Sequence, residues 1–533
     1  MDVALFGFEG ELQLDPEADV GRLRIDEDGC LHVRIAVAGP HSPDPKLSGS
    51  LFFPLRTPKR EGAARLRCNV YCEGVLVQSR LVSALVAREW AGPLQAGGVL
   101  ASELEYSLSR SLHSAQLAKL PPADLSLMVN GDQDRHQFRL YAPGDDENPV
   151  ITSSATVEAS ELTKPIEYCR AGLRKASWGD EDEWQKGVPP KYSAAGSPEQ
   201  LESDLLDLAI RGRLAYTAII DRLVEDREVR RELQGIRYHA RIELAAAPER
   251  FVPAALFYDA PLAPGANLSE LTLCSQFVAA REDPDVALED CACLNGSCPG
   301  WEEKTIVCPG GFWGFRHAMG WPVSLDDGDA LGVLAYESSL RAAMASADDL
   351  AGVAQHRKDV GGLLHDLDDA PDLAELLKLL AAHSEQLVYL YCHGGETPGR
   401  VPYVRIGDPR GPRLTRGEIF DLDLEGRSSL IFLNGCTTTA VSPESQFDLV
   451  DAFIQYGGAV GVIGTEITVF EPMAAPFALD FFQAFVGERA TVGEAIRHAR
   501  LAALKRGNPL GLAYVPFVLG GMTLEAVGMG PGM

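Results

Sequence analysis

Two apolar segments near the carboxyl end of the chain have the length and the residue types of buried β-strands. They comprise residues 387–396, LVYLYCHGGE, and residues 429–440, SLIFLNGCTTTA. Each ends in small residues that carry one reactive side chain, His393 in the first segment and Cys436 in the second. Functional groups of open α/β sheets lie beyond the carboxyl ends of the strands, so the pattern predicts an imidazole beside a thiol.

Strand-like and helix-like patterns alternate throughout the second half of the chain. Further strand-like segments are RIELAAA (241–247), ALGVLAYE (330–337) and AVGVIGT (459–465). Apolar residues recur with the period of a helix in APDLAELLKLLAAH (370–383), SPESQFDLVDAFIQYG (442–457) and TVGEAIRHARLAALKRG (491–507). This alternation predicts an α/β fold with a doubly wound, mostly parallel sheet and helices on both of its faces.

The first part of the chain has a different pattern, in which short alternating or β-branched segments are separated by turn residues. The turn signals are Asp28-Gly29, Glu73-Gly74 and Asn130-Gly131. Such a series predicts an N-terminal antiparallel β-sandwich domain over residues 1–142. The architecture indicates a recognition or scaffolding role without pointing to a particular ligand.

A polar stretch separates the two patterns. Residues 143–197 contain few long apolar runs and many charged, proline and glycine residues, which predicts a polar linker region. Ser197 has the position of a helix N-cap and Pro198 that of the first helical residue. A third unit is therefore predicted over residues 198–533, with its catalytic core at about residues 325–533.

The charge of the chain narrows the classes of partner. Its 533 residues carry a formal net charge of −28 at pH 7, which repels phosphate backbones and anionic lipids, so we expect no binding to nucleic acid or membranes. No uncharged apolar run reaches the roughly 18 residues of a membrane span, and the first residues lack a signal-peptide pattern. We therefore expect a cytoplasmic protein whose 11 cysteines remain mostly as thiols.

Around the two reactive residues the chain resembles the CHAT branch of the caspase-like cysteine peptidases, of the bacterial type, which are relatives of caspases, separase and gingipains. The shared pattern is an apolar strand followed by His393-Gly394, a polar insertion, and a second apolar strand that ends in Cys436. The resemblance covers about residues 200–533 and implies a caspase-like fold for this part of the chain.

Other segments carry the same resemblance. Residues 458–485 and 490–521 are similar to the strands and helices that follow the nucleophile in CHAT domains. Upstream, RFVPAALFYD (250–259) is similar to a segment that normally contains Pro-Trp-Glu, although Ala254 and Ala255 replace the last two residues here.

The resemblance implies a cysteine endopeptidase with a His-Cys dyad and no cofactor. Cys436 would be the nucleophile and His393 its base, while the backbone N–H groups of Gly394 and Cys436 would form the oxyanion hole. The family requires no third acid. The implied substrate is a protein, and the implied context is a regulated bacterial pathway of antiviral defence or cell death.

Acidic residues near the nucleophile bear on substrate preference. Some relatives have an Asp two residues before the nucleophile that holds a basic P1 side chain, but here this position is Asn434. The candidate substrate-binding residues are Asn434, Glu466 and Glu471. Glu466 and Glu471 lie in the loop after the next strand, a region that contributes to the P1 pocket in relatives. An acidic pocket would favour Arg or Lys at P1, whereas solvated loop acids are the alternative interpretation.

A cysteine cluster in the middle of the chain is a second candidate site. Cys291, Cys293, Cys298 and Cys308 lie within 18 residues, with His317 nearby. Thiolates and imidazoles are zinc ligands, but the spacing is not that of the common paired-cysteine knuckles. The alternatives are a zinc site and a cysteine-containing loop that binds no metal.

Two other functions remain open from the sequence. One is a catalytically silent, caspase-like interaction scaffold, and the other is a non-proteolytic thiol acyltransferase that uses the same dyad. For the endopeptidase, the N-terminal β domain is a candidate docking site for an activating or sensor protein.

Overall fold

A computed structural model describes most of the chain. The residues outside this description are 16–17, 26–30, 34–50, 89–99, 109–116, 133, 145–149, 186, 193–195, 225–235, 237, 247–250, 325–331, 383–384, 398–400, 422–428, 437–446 and 527–533. The predicted turn at Asp28-Gly29 lies among them. For Cys436 the backbone is described, whereas the side chain lies outside the description.

The amino-terminal part of the chain is rich in strands. They are β1 (Asp2–Gly7), β2 (Gln13–Leu14), β3 (Val20–Ile25), β4 (Leu31–Val33), β5 (Leu55–Arg56), β6 (Gly62–Cys72), β7 (Val75–Val86), β8 (Leu100–Ser107), β9 (Leu125–Asp132), β10 (Arg135–Ala142) and β11 (Ile151–Glu158). The first sheet has the order β4-β3-β1-β6-β7-β8 and is antiparallel throughout.

Of two hairpin turns predicted here from turn residues, one lies at the predicted position. Glu73 and Gly74 join β6 to β7 with φ angles of 50° and 82°, the left-handed pair that a type I′ turn requires. Asn130 and Gly131, by contrast, lie inside β9, and Asp132 pairs with Arg135. The second turn is therefore three residues later than its Asn-Gly signal predicts.

The middle of the chain contains short strands, the two longest of the described helices and three short ones. The strands are β12 (Arg241–Ala246), β13 (Thr272–Leu273), β14 (Ile306–Val307) and β15 (Ala318–Gly320). The helices are α1 (Ala159–Trp178), α2 (Pro198–Leu223), α3 (Ser275–Glu282), α4 (Ala292–Asn295) and α5 (Trp313–Arg316). Ser197 caps α2 as predicted, because its side chain accepts a hydrogen bond from the Gln200 N–H.

The second sheet joins amino-terminal strands to strands from the middle of the chain. Its order is β11-β10-β9-β12-β15, antiparallel from β11 to β9 and parallel from β9 to β15. It packs on the first sheet, where the rings of Tyr71 and Tyr141 stack with centroids 3.9 Å apart. The predicted antiparallel sandwich within residues 1–142 therefore differs from the structure, since one of its two sheets is mixed and continues into residues 241–320.

The predicted polar linker over residues 143–197 is wrong for much of its length. Residues 151–178 form β11 and α1, and the side chains of Leu162, Leu173 and Trp178 on α1 are buried. Helix α1 packs along α2. The charged residues of this stretch suggested an exposed connector, but some of them lie on α1, whose apolar side belongs to the main core.

The third sheet is built by the carboxyl-terminal part of the chain. The strands of this part are β16 (Val333–Tyr336), β17 (Arg341–Ser346), β18 (Asp366–Ala370), β19 (Leu387–Glu396), β20 (Pro402–Arg405), β21 (Ser429–Cys436), β22 (Ala459–Thr465), β23 (Tyr514–Phe517) and β24 (Thr523–Ala526). The helices are α6 (Val353–Leu363), α7 (Leu373–Ala382), α8 (Arg416–Phe420), α9 (Phe447–Gln455), α10 (Glu471–Phe482) and α11 (Val492–Lys505).

The order of the third sheet is β18-β17-β19-β21-β22-β23, with β20 beside the end of β19. Strands β18 to β22 on this path are parallel, whereas β23 is antiparallel to β22. If the five parallel strands are numbered in chain order, their order across the sheet is the doubly wound 2-1-3-4-5. The direction in which successive strands are added to the sheet reverses between β17 and β19. This switch point is where such sheets bind their ligands.

Helices α6 and α10 cover one face of the third sheet. Tyr389 of β19 and Phe432 of β21 are register partners, and both rings contact Phe482 of α10. His356 of α6 contacts the same Tyr389. Buried side chains of the second and third sheets form one continuous core, so the two sheets stabilise each other. Within the described residues, no helix combines the length and apolar character that crossing a bilayer demands.

Candidate active site

The two reactive residues of the sequence lie side by side at the carboxyl end of the third sheet. Strands β19 and β21 are parallel neighbours, and their pairing ends with His393 opposite Cys436. Neighbouring strands are about 4.8 Å apart. The backbone therefore brings the two residues to adjacent positions next to the switch point, as the sequence pattern predicts.

Gly435 allows the two strands to approach closely just before Cys436. A Cβ atom at this position would lie 1.8 Å from the carbonyl oxygen of Cys392 on the neighbouring strand. No real Cβ is found so close to a backbone oxygen, so only glycine fits here. The Asn-Gly-Cys sequence thus has a packing reason for its glycine.

An acid that the sequence analysis did not identify lies beside His393. Oδ1 of Asp349 is 3.2 Å from Nε2 of His393. Asp349 follows β17, the strand on the other side of the switch point. Both oxygens of its carboxylate accept hydrogen bonds from Nη2 of Arg405, at 3.0 and 3.1 Å. The sequence contained a signal for this acid, because Asp348-Asp349 follows an apolar strand-like segment, as His393 ends another.

These neighbours shift the pKa values of both groups. Burial lowers the pKa of His393 and the Arg405 cation lowers it further, although the carboxylates of Asp349 and Glu471 oppose both effects. The imidazole is therefore neutral at neutral pH. Partial burial would raise the pKa of Asp349, but hydrogen bonds from Arg405 and the charge of His393 together lower it. Asp349 is therefore a carboxylate.

Asn434 is fully buried, which contradicts its predicted role in binding substrate. Its Nδ2 donates to the Tyr389 hydroxyl and to the Ala474 carbonyl of α10, each at 2.8 Å. Its Oδ1 accepts a hydrogen bond of 2.8 Å from the Tyr514 hydroxyl of β23. The side chain is 0% exposed and its hydrogen bonds are made inside the protein, so it cannot contact a substrate. It ties β21 to its neighbours instead.

Glu466 is also buried, and the structure contradicts its prediction as a solvent-facing pocket acid. Its carboxylate pairs with Arg170 of α1 at 3.2 Å, and both side chains are below a tenth exposed. Burial raises the pKa of Glu466, against the lowering effect of Arg170. The ion pair joins α1 to the loop after β22, and the carboxylate is used in that contact.

The other predicted residues remain available at the site. Glu471 is the first residue of α10 and is half-buried. It lies near enough to His393 for its charge to raise the pKa of the imidazole. Gly394 follows His393 in β19 and pairs with Val404 of β20. Of the three predicted substrate-binding residues, only Glu471 is thus partly open to solvent near the imidazole.

The structure contains a cluster of four cysteines that differs from the predicted one in a single residue. Sγ atoms of Cys293, Cys298 and Cys308 lie together, but the fourth is Cys274 instead of Cys291. The Nε2 atom of His317 accepts a hydrogen bond of 2.8 Å from Arg316, and His317 is not part of the cluster. Cys274 lies outside the run of cysteines that the sequence analysis considered.

A relative matches almost the whole chain. It is described as "Probable protease" from Vitiosangium sp. (strain GDMCC 1.1324) and is 35% identical over 566 residues, which cover 98% of this chain and 70% of the relative. This chain belongs to the same protease family. Its third sheet places His393 and Cys436 in register on neighbouring parallel strands, the arrangement that the resemblance to caspase-like cysteine peptidases implies.

Solved structures also match parts of this chain. Gingipain R, titled an Arg-specific cysteine proteinase, is 11% identical with a TM-score of 0.33, over 69% of this chain and 77% of that one. The Saccharomyces cerevisiae separase–securin complex is 12% identical with a TM-score of 0.39, over 76% of this chain and 30% of that one. No family model matches, and the assignment to the CHAT branch stays a prediction.

Proposed function

We propose that the chain is a cysteine endopeptidase in which Cys436 is the nucleophile and His393 the general base. The observation that carries this proposal is the pairing of the two residues across neighbouring parallel strands at the carboxyl end of the sheet. Strands about 4.8 Å apart suit the hydrogen-bonding reach that a nucleophile and its base need.

In the proposed reaction, sulfur of Cys436 bonds to the carbonyl carbon of the scissile peptide while the thiol proton passes to His393. The backbone N–H groups of Gly394 and Cys436 donate hydrogen bonds to the oxyanion. The C–N bond then breaks and the leaving amine takes the proton from His393. Water attacks the acyl-enzyme with His393 again as base, which releases the new carboxyl group and restores the thiol.

Asp349 acts through His393 in this proposal and is a positioning residue. Its contact with Nε2 favours the tautomer that carries a proton on this nitrogen, which leaves Nδ1 free to accept the thiol proton. The lowered pKa of His393 keeps the base unprotonated at neutral pH. Arg405 holds the carboxylate from the other side through both of its oxygens.

We further propose that the enzyme prefers a basic side chain at P1 and that Glu471 recognises it. Glu471 is half-buried, lies near His393, and has no cationic partner among the described residues, whereas Asp349 is held by Arg405 and Glu466 by Arg170. A net charge of −28 also favours cationic substrates.

A panel of fluorogenic peptides with Arg, Lys, Asp or Leu at P1 tests this preference. We expect cleavage after Arg and Lys, and a loss of about 10- to 100-fold in kcat/KM for these substrates in Glu471→Gln, as for a lost charge-assisted hydrogen bond. The Leu substrate serves as the internal control, because its weak cleavage should not change. A wild-type preference for Asp or Leu contradicts the proposal.

We also propose that a partner protein docks on the N-terminal strands and activates the enzyme in a bacterial defence or cell-death pathway. Leu100 and Leu104 on β8 are exposed apolar side chains on one face of the first sheet. A Leu100→Asp/Leu104→Asp variant should lose toxicity in phage-infected cells while it still cleaves peptides in vitro. Equal toxicity of this variant and the wild type contradicts the proposal.

The decisive experiment for the peptidase uses an active-site probe and protein substrates together. A peptidyl acyloxymethyl ketone should label wild-type protein on Cys436, and new cleavage sites should arise in a proteome treated with the wild type but not with Cys436→Ala. Cys68→Ser, a change in the first sheet, is the matched control and should keep both activities. Labelling without cleavage favours an acyltransferase. The absence of both labelling and cleavage favours a silent scaffold.

A further inference from the structure

Four buried cysteines form a compact group between β13 and α5. The Sγ atoms of Cys274, Cys293, Cys298 and Cys308 all lie within 4.8 Å of one another. Cys274 Sγ is 3.5 Å from both Cys293 Sγ and Cys298 Sγ, and the latter two are 3.7 Å apart. These separations are far longer than the roughly 2.05 Å of a disulfide.

The separations agree with four thiolates around one metal ion. Zinc binds cysteine sulfur at about 2.3 Å, and a regular tetrahedron of that radius has edges of about 3.8 Å. The three edges among Cys274, Cys293 and Cys298 measure 3.5 to 3.7 Å, close to this value, and the Cys308 sulfur lies within 4.8 Å of each of them. A closed set of four sulfur ligands is typical of structural zinc sites, since a catalytic zinc keeps one position open.

Regular secondary structure positions the four ligands. Strands β13 and β14 pair in parallel and end at Leu273 and Val307. Cys274 and Cys308 are the residues that directly follow these two strands. Cys293 lies on the short helix α4, and Cys298 follows that helix. The ligands thus come from two strand ends and one turn, which explains why their spacing along the chain matches no common knuckle.

Two Cys-Pro-Gly turns supply hydrogen bonds to the sulfur atoms. Both Cys298 and Cys308 are followed by Pro-Gly, and the backbone N–H groups of Gly300 and Gly310 donate to the sulfur two residues earlier. Amide donors of this kind stabilise thiolate ligands and orient them toward a metal. A Cβ at Gly310 would lie 1.8 Å from the carbonyl oxygen of Cys293, so the second turn requires glycine.

We propose that Cys274, Cys293, Cys298 and Cys308 bind one zinc ion as a structural site. The ligands are buried, three of their sulfur atoms have the spacing of a tetrahedral site with the fourth within 4.8 Å of each, and amide donors face two of them. The site closes a segment that would otherwise depend on two short strands and a one-turn helix, so the bound metal supplies folding free energy.

The segment around this site supports the last strand of the catalytic sheet. Nζ of Lys505 on α11 donates to the carbonyls of Ala280 and Val286, at 2.7 and 2.8 Å. Arg500 on the same helix donates to the carbonyl of Gly314 at 3.2 Å and to that of Tyr514 on β23 at 2.6 Å. We therefore expect the zinc to act on the stability of the protease and not on the bond-breaking step.

The metal content of the full-length protein, purified under reducing conditions without chelators, tests the proposal. We expect about one zinc per chain in the wild type, and less than about a tenth in Cys274→Ser and in Cys293→Ser. Cys291→Ser is the matched control, because Cys291 is buried in the same segment but is not a member of the group, and it should retain the zinc. Wild-type protein with less than about a tenth of an equivalent overturns the proposal.

A second measurement keeps the proposal testable if the serine variants do not fold. Wild-type protein produced in cobalt-supplemented medium should have the absorption bands of tetrahedral cobalt bound to thiolates, and titration of four thiols with a mercurial should release one metal ion. Cobalt bound without thiolate bands, or four thiols titrated without metal release, overturns it. Loss of zinc from Cys291→Ser with retention in Cys274→Ser also overturns it, in favour of the other cysteine set.

Discussion

Oδ1 of Asp349 lies 3.2 Å from Nε2 of His393, and the two residues follow strands on opposite sides of the switch point of the third sheet. Arg405 completes a row in which an imidazole, a carboxylate and a guanidinium alternate. In this row the carboxylate raises the pKa of the imidazole, whereas the guanidinium and burial lower it. The carboxylate thus orients the imidazole of the proposed base, and the opposing charges of Asp349 and Arg405 together set its pKa.

Opposite pH shifts are expected when the two partners of His393 are changed. In Asp349→Asn the imidazole loses the carboxylate that raises its pKa, so the acid limb of kcat/KM should move to lower pH. In Arg405→Met it loses a nearby cation that lowers its pKa, so the limb should move to higher pH. We also expect kcat/KM of Asp349→Asn to fall about 10- to 100-fold at its optimum, because the imidazole is less well oriented.

Arg410→Met is the control for this pH experiment, since Arg410 is an exposed residue of the loop that follows β20. Its acid limb should coincide with that of the wild type. Shifts of Asp349→Asn and Arg405→Met in the same direction contradict the assignment of His393 as the base.

Replacement of Gly435 by alanine should destabilise the protein by several kcal/mol and abolish activity. The new methyl group would overlap the Cys392 carbonyl oxygen, 1.8 Å away, and the two strands would have to separate next to Cys436. Urea unfolding and peptide cleavage measure the two effects.

Gly362→Ala is the matched glycine control for this variant. Gly362 is exposed on α6 and has open space where a Cβ would be added. Alanine there should stabilise the protein by up to about 1 kcal/mol, because it is the better helix former. Equal stabilities of the two alanine variants would show that strand contact at Gly435 is unimportant.

Asn434→Ala should reduce stability without changing the preference at P1. The variant leaves the Tyr514 hydroxyl and the Ala474 carbonyl without their buried partner, which costs about 2 to 4 kcal/mol. The ratio of kcat/KM for Arg and Leu substrates should remain that of the wild type, in contrast to Glu471→Gln. A changed ratio at unchanged stability would assign Asn434 to the substrate pocket after all.

Removal of Arg170 should destabilise the protein more strongly at high pH than at low pH. Arg170→Met leaves the Glu466 carboxylate buried without its cation, at a cost of about 3 kcal/mol at pH 7. Burial already raises the pKa of Glu466, and the native state of the variant should bind this proton more tightly than the unfolded chain does. Stability gained by protonation is lost as pH rises, so the deficit should be larger at pH 8 than at pH 6.

The double variant Arg170→Met/Glu466→Gln provides the control, because it contains no ionisable group at this position. It should recover part of the lost free energy of unfolding at pH 8 and should lack the extra pH dependence, both measured by urea unfolding. A deficit in Arg170→Met that grows as pH falls is incompatible with this account.

Short-range patterns predicted the elements around the candidate site. The strands that carry His393 and Cys436, and the nearby helices α7, α9 and α11, follow from the spacing of apolar residues in each segment. The alternation of strands and helices predicts parallel strands, whose carboxyl ends share one edge of the sheet. The resemblance to caspase-like peptidases added the expectation that the two strands are neighbours.

Other features depend on contacts between segments that are distant along the chain. Asn434 and Glu466 had the polarity of pocket residues, but their burial results from Tyr514 and Arg170, which approach from β23 and α1. Residues 143–178 have the composition of a linker, but α1 packs its apolar side against segments that are distant along the chain. The local sequence does not show those segments.

The sequence by itself determined the strand-end positions of His393 and Cys436, because hydrophobic periodicity is a property of neighbouring residues. Only the tertiary structure decided that Asp349 contacts His393, and that Cys274 rather than Cys291 joins the other three cysteines. Sheet order and register bring such groups together, and both are chosen by packing over the whole core.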